Sequence, residues 1–194
     1  MADLQVGGFT PDCYAEITRP GDTTTYAAGD VITDTTTAAS VVPLRFPACK
    51  RDNGSGVITG GRIIKSSDTT ALSAMRLWIF SATPFAAGSF IADNAALVLT
   101  YASMARFVGI IDFTTWVDAG SMAVCEGVAS RSVLPFSKQY VGDTNSPGSA
   151  ESLGVKGLPA IPASRLLYGI LEARAAYVPT NAETFRIWLD VQAD

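Results

Sequence analysis

The chain has 194 residues, 48% of them hydrophobic and 16% charged, with a net charge of −4 and no histidine. That balance excludes intrinsic disorder and offers no electrostatic footprint for DNA, RNA or an anionic membrane; folding would remove roughly 20,000 Å² from water, enough for one core. The missing histidine removes Ser-His-Asp and Cys-His triads, the usual base near neutral pH and most zinc, copper and non-haem iron sites.

No run approaches the ~18 apolar residues of a membrane span. The start Met1-Ala2-Asp3-Leu4-Gln5 lacks a basic and apolar leader, so synthesis in a cytoplasm is expected. One domain over residues 1–194 is expected, with a short N-terminal arm at about 1–13.

In chain order, Tyr14–Thr18 and Asp30–Thr35 read as the first strands, with Thr, Val, Ile and aromatic residues at period two. Val41–Lys50 and Val57–Lys65 flank Asp52-Asn53-Gly54, where Asn-Gly tolerates positive φ, so the spacing predicts a hairpin. Leu72–Phe80 follows, with Met75, Leu77 and Ile79 opposite Trp78 and Phe80. A strand apolar on both faces is either covered on both sides within the fold or presents Trp78 and Phe80 to a neighbouring subunit.

Thr100–Ala105 predicts a short helix capped by Thr100. Strands over Arg106–Phe113, Trp116–Cys125 and Val133–Val141 come next. Ser137–Ser164 is too long and polar for a turn, and Asp143 and Asn145 within it are candidate partner contacts.

The cleanest alternation lies near the C-terminus. Leu167, Gly169, Leu171, Ala173, Ala175 and Tyr177 form one apolar face; Phe185, Ile187, Leu189 and Val191 form another. With turn residues at Pro179–Ala182, the two runs read as one antiparallel hairpin at the centre of the core. Trp188 falls on the outward face and is the first candidate for partner contact. About nine short strands without alternating helices predict an all-β fold, an antiparallel β-sandwich of jelly-roll type.

Motifs for chemistry are sparse. Cys13, Cys49 and Cys125 are odd in number and lack a C-x-x-C pair, so they read as small buried hydrophobes. Asp112 and Asp118 flank Trp116 in the manner of a sugar cleft, but they stand where strands end. Gly54-Ser55-Gly56 with Gly60-Gly61 lacks the G-K-[ST] of a phosphate loop. No D-x-D-x-D-G loop supports calcium at Asp30 and Asp34 or around Asp93. No catalytic residue, metal or cofactor is therefore expected.

The segments Ile17-Thr18-Arg19-Pro20 and Tyr26-Ala27-Ala28-Gly29-Asp30-Val31-Ile32 resemble the opening of a group of tailed-bacteriophage virion structural proteins. Gly60-Gly61-Arg62-Ile63-Ile64, Leu77-Trp78-Ile79-Phe80, Asp93-Asn94-Ala95 and Gly109-Ile110-Ile111-Asp112-Phe113 continue the likeness in order, over roughly residues 15 to 115. The resemblance implies a jelly-roll head decoration, or cement, protein on the outer capsid surface of the virion. Such a protein is made in the host cytoplasm and bridges major capsid protein subunits as a homotrimer or homodimer. The alternative is a tail, baseplate or carbohydrate-binding β-sandwich module that recognises a host saccharide.

Overall fold

The computed structural model describes residues 13–49, 52–67, 74–86, 89–131, 133–137, 150–151, 161–162 and 165–193. The expected N-terminal arm therefore falls almost wholly outside the described residues. So does most of the 137–164 loop, including Asp143 and Asn145.

The chain is all-β and antiparallel, as its alternation requires. In order the strands are β1 (Tyr14–Thr18), β2 (Val31–Ile32), β3 (Leu44–Pro47), β4 (Ser55–Lys65), β5 (Met75–Phe80), β6 (Phe107–Phe113) and β7 (Trp116–Asp118). Then come β8 (Ala123–Ala129), β9 (Leu134–Ser137), β10 (Ala150–Glu151), β11 (Ile161–Pro162), β12 (Leu166–Ala173) and β13 (Thr184–Ala193). The single strand expected over Trp116–Cys125 is two, β7 and β8, broken where Gly120 takes a φ of 92°. The short helix is present as α1 (Tyr101–Met104). Thr100 and Ser103 form a reciprocal capping box, each side chain bonding the other's backbone N–H.

Eleven strands form one curled sheet that folds back on itself as a sandwich. One wall runs β1-β13-β4-β8 and the other β3-β12-β5-β6, with β2 following β3 along β12, and β9 following β8 along β4. In chain order the eight principal strands change wall at every step except from β5 to β6, which pair side by side, and this is the order of a jelly roll. The strand β8 joins the walls at one corner: Ala123–Gly127 pairs with β4, and Val128–Ala129 turns to β6. Gly127 sits at that corner because a Cβ there would lie 2.3 Å from Ile111 and 2.5 Å from Phe113.

This topology corrects both expected hairpins. β12 and β13 are consecutive but do not pair: β12 bonds β3, β2 and β5, whereas β13 bonds β1 and β4. β3 and β4 likewise lie in opposite walls, although Asn53 does adopt the turn conformation with φ 53°. A jelly roll sends most sequence-adjacent strands to different sheets, so their apolar faces meet across the core. Ile63, Phe185, Ile187 and Leu189 from one wall share a core cluster with Phe46, Leu77, Ile111, Leu167 and Leu171 from the other. Cys13, Cys49 and Cys125 are buried and unbridged, as their small apolar character suggests.

The two outer faces differ. Over the second wall lie residues 81–86 and 89–106, whose Phe85, Ile91, Leu97 and Leu99 pack on Phe80, Leu166, Tyr168 and Ile170. Every residue of β12 is consequently buried. The first wall carries no such cover among the described residues.

Ile187 has no exposed surface, whereas Arg186 points outward. Ile187→Ala is expected to cost about 2–5 kcal/mol in urea titration, from lost contacts and the cavity left behind. Arg186→Ala is expected to cost less than about 1 kcal/mol, since it loses a surface ion pair with Glu16 and solvent-exposed contacts with the Tyr14 and Trp188 rings. A reversed ranking would put the strand one residue out of register.

Candidate functional site

Strand pairing alone builds the uncovered face. The register aligns Tyr14, Trp188, Arg62 and Glu126 in one row across β1, β13, β4 and β8. A neighbouring row holds Glu16, Arg186, Ile64, Val124 and Val117, reaching onto β7. These residues alternate with the buried set, so period-two patterning fixes both faces together.

Within the rows, the Tyr14 and Trp188 rings lie 5.9 Å apart and tilted. The Arg62 guanidinium stacks 4.7 Å from the centre of the Trp188 ring, and Arg186 lies 5.9 Å from it. Arg186 is oriented by its Nε, which donates to Glu16 at 2.6 Å. Val117, 63% exposed, extends the surface with an apolar margin. Trp, Tyr and Arg side by side in a flat sheet face are the residue types that dominate binding at protein interfaces. Trp188 therefore stands where the alternation put it.

The other candidates are placed differently. Phe80 has no exposed area and packs against Phe107, with ring centres 6.1 Å apart, beneath residues 81–86 and 89–106. That corrects its assignment as a partner contact: its own chain covers it. Trp78 is half-buried in the same layer, where its indole Nε1 donates to Glu172 at 2.7 Å. It is occupied by the fold.

The carboxylates considered for chemistry each have a structural task. Asp112 accepts two bonds from Arg76, at 2.6 and 3.0 Å, and Asp118 accepts the Gly120 amide at 2.8 Å. Asp30 accepts the Ala27 amide and Asp34 the Val42 amide. Among the described residues no group of three or more Cys, Asp or Glu is placed to hold a metal.

One polar cluster escaped the sequence reading. At one end of the sandwich two cations, Arg19 and Lys65, and two carboxylates, Asp93 and Glu183, are buried together with Tyr26 and Tyr177. Arg19 donates to the Tyr26 hydroxyl at 2.6 Å, and Tyr26 donates to Asp93 at 2.6 Å. Asp93 also accepts the Thr33 amide at 2.9 Å and pairs with Arg19 at 3.4 Å. The Tyr26 ring stacks on Tyr177, whose hydroxyl donates to Glu183. Glu183 completes the chain by pairing with Lys65 at 3.2 Å and accepting from Ser67 at 2.5 Å.

Burial pushes the Asp93 carboxyl above the usual range, against the opposing pull of the Tyr26, Thr33 and Arg19 contacts. Burial also raises both tyrosines, with Asp93 adding to Tyr26 and Glu183 adding to Tyr177. The phenols consequently stay protonated at neutral pH. With Asp22 pairing Arg19 at 3.3 Å from the surface side, the buried cluster works as a polar plug. Half of it was legible, because Lys65 shares the inward phase of Ile63 and Glu183 that of Phe185.

No family model, curated protein or solved structure matches the chain.

Glu183→Gln would remove the carboxylate that pairs with the buried Lys65 at 3.2 Å. A loss of about 3–5 kcal/mol in unfolding free energy is expected. Lys65→Met combined with Glu183→Gln should cost less than Glu183→Gln alone. Additive losses in a urea-monitored double-mutant cycle would show that the two charges are not coupled.

Proposed function

We propose that this chain is a non-enzymatic decoration protein of a tailed-bacteriophage head. It docks on the outer capsid surface through the face of Tyr14, Trp188 and Arg62, and bridges major capsid protein subunits. The observation that carries this reading is the asymmetry of the outer faces. Among the described residues, 81–86 and 89–106 seal one wall, and the other stays open with a Trp, a Tyr and two Arg in register. The segment resemblance supplies the assembly, and the fold supports it by analogy, since jelly rolls recur in viral capsid and lectin domains.

Lectins share the fold, so a saccharide is the competing ligand. The stacked guanidinium favours protein. Sugar recognition needs an open aromatic ring, whereas the face of Trp188 carries Arg62 at 4.7 Å and would have to be cleared first. A protein partner instead gains from that guanidinium, which forms no ion pair among the described residues and offers planar donors to a carboxylate.

Adding the purified protein back to heads that lack it tests the reading. Wild type should saturate the heads. Trp188→Ala should weaken attachment by about thirtyfold or more, the scale of an interface hot spot, while melting of the free protein changes little. Undiminished attachment, or location of the protein only at the tail tip, would overturn the assignment.

A further inference from the structure

β1 and β3 are edge strands of opposite walls on the same side of the sandwich. β1 pairs only with β13 and β3 only with β12, yet the two lie against each other, and no strand ladder crosses between them among the described residues. Side chains close this seam. At one end Ile17 of β1 and Leu44 of β3 line the same apolar pocket. Four residues back along the first segment stands Cys13, and five residues on along the second stands Cys49.

Both cysteines are buried and belong to one core cluster. Each is tied by its backbone to its own wall. The Leu189 amide of β13 donates to the Cys13 carbonyl at 2.9 Å, and the Cys49 amide donates at 3.1 Å to the carbonyl of Arg165, just before β12. Burial pushes the Cys13 thiol up, and Cys49 pushes it further, ahead of Asp190. One sulfur acts on another in this way only at close approach, so this end of the seam holds neighbouring thiols from opposite walls. Cys125 is set apart: its thiol donates to the Glu126 carbonyl at 3.4 Å and is raised by burial and by Glu126, with no cysteine contributing.

We propose that Cys13 and Cys49 are a redox pair that oxidises to a disulfide and staples β1 to β3. The oxidant is a low-molecular-weight disulfide. One cysteine, as thiolate, attacks one of its sulfurs, which forms a mixed disulfide and releases a thiolate; the other cysteine then attacks the cysteine sulfur of the mixed disulfide and releases the second. The two cysteine protons pass to the departing thiolates, so one disulfide is reduced as one forms. The link closes a ring over residues 13–49 and removes that freedom from the unfolded chain.

Burial keeps both thiols protonated and out of reach, so exchange waits on a local opening of the edge strand β1. The pair stays reduced in a cytoplasm and closes slowly outside one. On the function proposed above, on which this step rests, that change of surroundings comes when the particle leaves its host. Tyr14 adjoins Cys13, so the staple also fixes the end of the row that carries Trp188.

Incubating the isolated full chain with oxidised glutathione, then measuring intact mass and mapping peptides without reduction, tests the pair. Wild type should lose two hydrogens, yield a peptide linked through Cys13 and Cys49, and leave Cys125 open to alkylation after unfolding. Its melting temperature should rise by about 5 °C or more on oxidation and return with dithiothreitol. Cys49→Ala should show no such redox difference, whatever its own melting temperature. An unchanged mass, glutathione adducts without a cross-link, a cross-link through Cys125, a disulfide that leaves the melting temperature unmoved, or a redox shift that persists in Cys49→Ala would each overturn the inference. On heads, oxidised wild type should be released more slowly than reduced by roughly threefold or more, and equal release would strike the role in attachment. The mass and melting readouts use the isolated chain, so failure of the capsid reading registers separately, as undiminished head attachment by Trp188→Ala.

Discussion

The architecture hangs on the buried ionic plug. Arg19 leaves the end of β1 in the first wall, Thr33 follows β2 in the second, and Asp93 belongs to the covering layer; all three meet at one carboxylate. Burying two cations and two anions incurs a desolvation cost that only near-complete pairing offsets, so few arrangements of these segments are tolerated. The layer is fixed further by backbone bonds from Val31 to Ala95 and from Leu97 to Gly29. With Asp93 held, residues 81–86 and 89–106 pack over β12. That packing buries the outer side of β12, and among the described residues the first wall is the exposed one.

Patterning made the strands legible, while their partners stayed hidden. Tyr14–Thr18 forms as read, and the inward phase of Phe185, Ile187, Leu189 and Val191 is that of the structure. Alternation reports which side of a strand is buried but carries no information on what buries it. β12 and β13 therefore look like a hairpin in sequence and are opposite walls in space. Trp78 and Phe80 show the same limit, for two apolar faces on one strand say that both are covered without saying by what. The covering segment itself has neither period, because its apolar residues answer to a surface already formed by β5, β6 and β12.

The candidate site was legible in part for the same reason. Trp188 could be placed outward from its phase alone. Its neighbours could not, since Tyr14, Arg62 and Glu126 join it through register across four strands that are distant in sequence. The plug was hidden more deeply. Lys65 and Glu183 stand at inward positions, where charge is unexpected, but Arg19 and Asp93 lie in segments whose path only the tertiary fold determines.

An open face that carries Trp188 raises the question of how its aromatic surface is shielded from water before a partner covers it. The arrangement of the arginines answers it. Arg62 stacks on the indole, and Arg186 lies near both Tyr14 and Trp188 while held by Glu16, so the aromatic surface is dressed by groups that remain hydrated. Covering a ring with a guanidinium costs little to reverse, because a planar cation slides aside or turns its donors to an incoming carboxylate. The same two arginines thus protect the face in the free molecule and become specific contacts in the proposed complex.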